Sequence, residues 1–203
     1  MVLEREFYDR DTLTVARDLL GRAIVHETAE GTTAGIIVET EAYKGPEDKA
    51  SHAYANLRTK RTEVQFGPKG HAYVYMIYGM YYCLNVTSGE APGKPEAVLV
   101  RALEPVGGIK IMARRRKAVS KARSVNLTNG PGKLCMAMGI SSQQNGADMC
   151  ASPLHIDAGA PVDKACIAQT ARINVDYADE WRHLRWRFII KDSPFVSMRH
   201  RLT

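Results

Sequence analysis

Apolar positions recur at helical spacing near the start of the chain and in alternation through most of its remaining length. In TLTVARDLLGRAIV, Leu13, Ala16, Leu19 and Leu20 share one side of a 3.6-residue repeat, with Asp11 or Thr12 placed to cap the helix and Gly21 to stop it. Two strand patterns come next, residues 23–27 and 33–43, and the Glu30-Gly31 turn between them predicts a hairpin. On the second, Glu39, Glu41 and Tyr43 alternate with Val38, Thr40 and Ala42, which puts two carboxylates and a phenol on one face before Gly45-Pro46 breaks the strand. That face reads equally as a solvent-facing polar edge or as acid–base machinery. PEDKASHAY predicts a helix starting at Pro46, with Glu47 and Asp48 in its first turn and His52 one turn beyond Asp48. Residues 56–70 are polar, basic and rich in turn formers, and predict an exposed loop.

Residues 71–86, HAYVYMIYGMYYCLNV, hold five of the nine tyrosines and predict a β-hairpin. With period two, Tyr73, Tyr75 and Ile77 share a face, and the turn falls at Tyr78, Gly79 and Met80, which holds Tyr78 out at the tip. Two readings fit: a tyrosine-rich sheet packed on a core, or a rigid aromatic tip that enters stacked bases beside a stacking wall of Tyr73 and Tyr75. The return strand carries Asn85 among apolar neighbours, where its amide must tie backbone or meet a ligand. AVLVRALEPV is a strongly apolar strand interrupted by Arg101, a costly residue to bury without an anion or carboxylate beside it. Residues 107–123 predict a helix, and Asn129-Gly130-Pro131-Gly132-Lys133 opens another, LCMAMGI. A glycine-rich helix start followed by lysine can bind phosphate through its amides, with Gly132 and Lys133 as the candidates, although P-loop spacing is lacking. Residues 142–165 carry no informative pattern, and RWRFIIKDSPFVSMRHR predicts a final strand with a basic tail.

A chain of 203 residues without a linker, repeat or low-complexity tract fits one domain, and 45% hydrophobic with 25% charged residues is ordinary for a globular protein. No apolar run reaches membrane-spanning length, and MVLEREFYDR lacks the apolar core of a signal peptide, so a cytoplasmic location is expected. Cys83, Cys135, Cys150 and Cys166 form no CxxC pair and are expected to be buried free thiols; neither a metal nor any other cofactor is expected. The net charge of +6 favours an anionic partner. Arg114, Arg115, Arg116, Lys117, Lys121 and Arg123 form a dense block, either a solvated helix face or a phosphate-facing stripe.

Five blocks in order carry a resemblance: VETEAYKGPEDKASH, YVYMIYGMYYCLNV, LVRALEP, NGPGKLC and KDSPFVS. On them the chain resembles the alkyladenine (3-methyladenine) DNA glycosylases of base-excision repair. The resemblance implies an α+β fold, a single mixed domain with a curved antiparallel β-sheet, surrounding helices and a protruding β-hairpin. It also implies that Glu41 activates the attacking water, that Tyr43, Tyr75 and His52 enclose a flipped base, and that Asn85 and Arg101 lie near the base pocket and the nucleophilic water. At the hairpin tip it puts Tyr78 into the minor groove, with Met80 beside it. The expected partner is duplex DNA containing alkylated purines, met by a monomer with no membrane attachment. Lys44, Phe195 and the loop of residues 53–69 depart from the family pattern, which bears on the range of bases that fit.

The chemistry agrees with this reading. An alkylated purine is cationic, attracts tyrosine faces by roughly 0.5–2 kcal/mol, and leaves through an oxocarbenium-like sugar that a carboxylate stabilises. Neutral lesions such as hypoxanthine need a further donor or general acid, which no residue supplies by pattern alone. No lysine is singled out for a Schiff base, which favours plain hydrolysis. The rivals are a non-catalytic module that recognises bent or damaged nucleic acid and a small-molecule hydrolase whose basic surface is incidental.

Overall fold

A computed structural model of the chain describes residues 1–117 and 125–198. Its centre is an eight-stranded antiparallel sheet built around a 14-residue strand. The strands are β1 (Ala23–Thr28), β2 (Gly31–Lys44), β3 (Ala72–Ile77), β4 (Tyr81–Ser88), β5 (Glu96–Gly107), β6 (Leu154–Asp157), β7 (Ile167–Thr170) and β8 (Arg187–Ile190). They run in the order β3-β4-β5-β2-β1-β6, while β8 adds to β2 at Glu39–Glu41 and carries β7. The helices are α1 (Thr12–Asp18), α2 (Ile109–Arg115) and α3 (Pro131–Met138). Asp11 caps α1 by accepting the Thr14 amide, and Gly21 takes a positive φ beyond its end.

All three helices pack on one face of the sheet. Val15 and Ala16 of α1, Leu19 just past its end, Met112 of α2 and Leu134 and Met138 of α3 join Ile37, Val86, Val98 and Val100 in the main core. The other face is polar at its centre, and two register shifts shape it. Between β2 and β5, Ile37 pairs with Leu103, Glu39 with Ala102 and Thr40 with Val100, so Val38 and Arg101 are each skipped. Bulges of this kind bend a strand and re-aim a side chain. Val38 packs with Ala102, Ile189 and Phe195 in a small second cluster, and Arg101 turns toward Glu39 and Glu41.

Several expectations are corrected. Residues 46–54 form no α-helix, only a 3-10 turn at Gly45–Glu47 and the start of another at Tyr54–Asn56, because Asp48 accepts the amides of Lys44 and Ala50 and bonds the local backbone instead. The loop of residues 56–70 is not wholly exposed: Thr62, Gln65 and Lys69 are buried, and the Thr62 hydroxyl ties the turn to Leu57. Cys83 and Cys135 are buried, whereas Cys150 is half-buried and Cys166 exposed, all as free thiols. In the basic block, Arg114 and Arg115 pair with Glu30 on the β1–β2 turn, and Arg116 lines the cavity described below. Lys121, Arg123 and the basic tail lie outside the described residues. Among the described residues no helix is long and apolar enough to cross a membrane.

Candidate active site

The polar face of the sheet holds a buried four-charge cluster of Glu39, Glu41, Arg101 and Arg187. Glu39, with no exposed side-chain surface, accepts from Arg101 Nε at 3.1 Å, Arg187 Nε at 2.7 Å, Ser197 Oγ at 2.9 Å and the Ser197 amide at 2.6 Å. Glu41, equally buried, accepts the Ile173 amide on Oε1 at 2.8 Å, and on Oε2 the Tyr43 hydroxyl at 2.9 Å and Arg101 Nη1 at 3.3 Å. The polar-edge reading of this strand is therefore excluded. Two carboxylates face two guanidiniums, which makes burial of all four tolerable. Burial alone lowers the Arg101 pKa, but the adjoining Glu41 and Glu39 outweigh it and raise it. Burial, and then the charge of Glu41, push the Tyr43 phenol well above its ordinary value, so it keeps its proton and donates to Glu41.

Above this cluster opens a cavity of about 640 Å³, within the usual range of small-molecule sites. Glu41 lies one layer beneath it, and the three groups that bond it, on Tyr43, Arg101 and Ile173, all line the cavity. Strand β3 supplies one wall, where the rings of Tyr73 and Tyr75 lie 5.3 Å apart and His52 sets its edge against Tyr75 at 4.6 Å. His52 Nε2 faces Arg61 at 3.2 Å and must accept there, so Nδ1 carries the hydrogen and donates to the Tyr73 hydroxyl at 2.9 Å. Burial, with the charge of Arg61 second, pushes the His52 pKa down to about 4, and burial lifts Tyr73 to about 12. His52 and Tyr73 are therefore uncharged at pH 7, while the Arg61 guanidinium lies 4.7 Å from the centre of the Tyr75 ring. Of the two roles expected for Asn85 the structure shows the backbone tie, a bond donated to the Tyr73 carbonyl at 3.0 Å, and the residue also lines the cavity.

The hairpin forms as predicted, with Ile77 paired to Tyr81 across a Tyr78-Gly79-Met80 turn. Tyr78, at φ 51°, and Gly79, at φ 68°, adopt the left-handed backbone of a tight hairpin turn. Tyr78 is 81% and Met80 64% exposed. Tyr78 reaches the cavity mouth, whereas Met80 does not line it. Beside the hairpin, on the cavity rim, stands the start of α3, whose N-terminal Gly130 makes no side-chain cap and leaves its amides available. A Cβ at Gly132 would come within 3.0 Å of the Tyr81 side chain, so glycine there lets the helix start approach the hairpin. Lys133 joins this rim and donates to Asn129 at 2.8 Å.

The structure adds residues that the sequence did not flag. Asp48 and Arg172 form a bidentate ion pair with neither side chain exposed. The Arg172 guanidinium lies 4.8 Å from the Tyr43 ring centre and 5.1 Å from that of Trp186, and it anchors the segment that presents the Ile173 amide to Glu41. Arg187 lay within an apolar strand pattern and carried the same signal that marked Arg101. Arg172, Gln65 and the Ile173 amide had no local signal.

Residues 6–194 match the family described as methylpurine-DNA glycosylase (MPG). Proteins named "Putative 3-methyladenine DNA glycosylase" are similar over nearly the whole chain. One from Alkaliphilus oremlandii is 50% identical and covers 97% of this chain and 99% of its own length. One from Bacillus cereus (strain AH820) is 51% identical over 94% and 96%. One from Clostridium acetobutylicum is 48% identical over 98% of each. With a match of that length and relatives at that identity, the chain belongs to the methylpurine-DNA glycosylase family.

Proposed function

We propose that the protein is a monofunctional DNA glycosylase that takes an alkylated purine out of duplex DNA and hydrolyses its N-glycosidic bond with Glu41 as general base, leaving an abasic site. The observation that carries this reading is the position of Glu41: a carboxylate fixed by Arg101, Tyr43 and the Ile173 amide directly beneath an aromatic cavity. Tyr78 enters the minor groove and fills the gap left by the flipped nucleotide, and the amides at the start of α3, with Lys133, hold backbone phosphate. The tyrosine faces attract the cationic purine, and a neutral His52 adds no positive charge against it.

As the glycosidic bond stretches, positive charge grows on the sugar and the Glu41 carboxylate stabilises it. Water then attacks the anomeric carbon, Glu41 takes its proton, and the purine departs with the bonding electron pair. The Tyr43 and Arg101 contacts hold the carboxylate in line, and opening of the longer Arg101 contact gives water its approach to Oε2. Among the described residues the one lysine lining the cavity is Lys133, engaged with Asn129, which favours hydrolysis over a Schiff-base lyase. The test is incubation with methylated duplex DNA, followed by chromatography of freed base and alkali treatment of the strand. Free 3-methyladenine with alkali-labile sites is expected; binding without base release would establish the non-catalytic module instead.

A further inference from the structure

We propose that Tyr177 is a second aromatic DNA contact at the cavity mouth, its ring packing against the deoxyribose of the flipped nucleotide and holding that nucleotide in the site. The inference rests on the glycosylase reading above and adds a binding residue to it. Tyr177 lies between β7 and β8, is 66% exposed, and lines the cavity. A single exposed aromatic ring is ordinary on a protein surface. Among the described residues, however, Tyr78 and Tyr177 are the only large apolar side chains that are both well exposed and part of the cavity lining. The ring is also fixed, because its hydroxyl donates to the Ala50 carbonyl at 3.1 Å.

The segment that carries Tyr177 is clamped to residues 48–50. Arg172 pairs with Asp48, and Val175 and Ala178 cluster with Ala50. The same segment presents the Ile173 amide to Glu41 at 2.8 Å, so Tyr177 follows closely on the group that fixes the general base. Glu41 has to face the anomeric carbon to act, which brings the sugar to this side of the cavity while the purine lies against the wall of Tyr73 and Tyr75. What the ring offers there is an apolar face, since its one hydroxyl proton is taken by Ala50. Phosphate is a poor fit at this rim: Asp176 beside the ring is exposed, and so are Asp179 and Glu180 beyond it. The C–H groups of a deoxyribose need no charge to pack on an aromatic face. A stacked nucleotide keeps its sugar in the duplex, so the contact favours the flipped state alone.

The experiment measures fluorescence anisotropy with a duplex holding a tetrahydrofuran abasic analogue, which presents a sugar without a base, and with the same duplex undamaged. The quantity read is the ratio of the two affinities for each protein, which is independent of the folded fraction, with single-turnover release of 3-methyladenine measured beside it. Tyr177→Ala should lower the preference for the abasic duplex at least about fivefold, the low end of what an aromatic contact to a nucleotide is worth, and slow base release. Tyr177→Phe keeps the ring, loses only the tether, and should stay close to wild type. Because the contact is uncharged, the salt dependence of binding by Tyr177→Ala should match that of wild type. A preference in Tyr177→Ala within about twofold of wild type, well under the worth of an aromatic contact, overturns the assignment. So does slower release with an unchanged preference, which would put the ring on the base, or a shallower salt dependence, which would put it on a phosphate. A Tyr177→Phe protein as impaired as Tyr177→Ala makes the tether the cause and overturns the ring contact. A wild type that releases 3-methyladenine without preferring the abasic duplex overturns the contact and leaves the glycosylase reading standing. Release of no base by the wild type overturns both.

Discussion

Glu39 and Glu41 are two residues apart on one strand and share Arg101, yet their surroundings predict opposite responses to the same change. Glu39→Gln replaces an acceptor that receives four hydrogen bonds, two of them from guanidiniums, and leaves Arg101 and Arg187 with Glu41 as the remaining carboxylate of the cluster. The new amide nitrogen also points a donor at donors. Breaking a buried pair by removing one partner costs about 3–5 kcal/mol. Against a typical total of about 5–15 kcal/mol, that is a large part of the stability. At about 2–4 °C per kcal/mol for a chain of this size, Tm should drop by about 6–20 °C. Neither carboxylate lines the cavity, but all three groups that bond Glu41 do, whereas Glu39 is held in part by Arg187, which does not, so the excision rate per folded molecule should suffer far less than the fold. Thermal melts by circular dichroism, with single-turnover excision well below the variant's Tm, measure both. A Glu39→Gln variant that melts within about 2 °C of wild type, or that is fully folded and inactive, would refute the structural assignment of Glu39.

Tyr78→Ala should leave the melt unchanged, because the side chain is 81% exposed, and should slow excision by weakening the flipped state by roughly 1–3 kcal/mol, read by fluorescence of a base analogue at the lesion. Duplex affinity should fall by about 0.9 log unit per log unit of salt for each phosphate contacted, and Lys133→Gln should lower that slope by about one contact in a fluorescence-anisotropy titration. His52, with a pKa near 4 against the ordinary 6.5, is neutral in the fold, while the unfolded chain binds a proton between those values. Its effect is therefore to lower stability as pH falls from 6.5 toward 4, with none above that window, and an NMR titration showing His52 near 6.5 would contradict the buried arrangement.

Much of the fold was legible because local pattern and tertiary structure agree. The tyrosine hairpin, the α1 helix with its cap and the β1–β2 hairpin come from alternation, capping and glycine placement. Arg101 was marked by the cost of a charge in an apolar strand, and the structure supplies the two carboxylates that cost demands. The PEDKASHAY segment misled because Asp48, which reads as a first-turn helix residue, is held by Arg172 from a segment 124 residues away. Gln65 is hidden for a similar reason: a polar residue in a basic loop reads as solvated until the loop is seen folding against the tyrosine wall. The Ile173 amide is a backbone group, and no side-chain pattern can reveal it.

The central claim is that Glu41 is the base, and Glu41→Gln tests it by keeping shape while removing charge and basicity. DNA affinity should survive. Single-turnover release of 3-methyladenine should fall by at least the roughly 10²–10⁴-fold typical of a lost general base, with loss of carboxylate support for the sugar cation adding to it. A folded Glu41→Gln protein that releases 3-methyladenine within a few-fold of the wild-type rate would contradict the account.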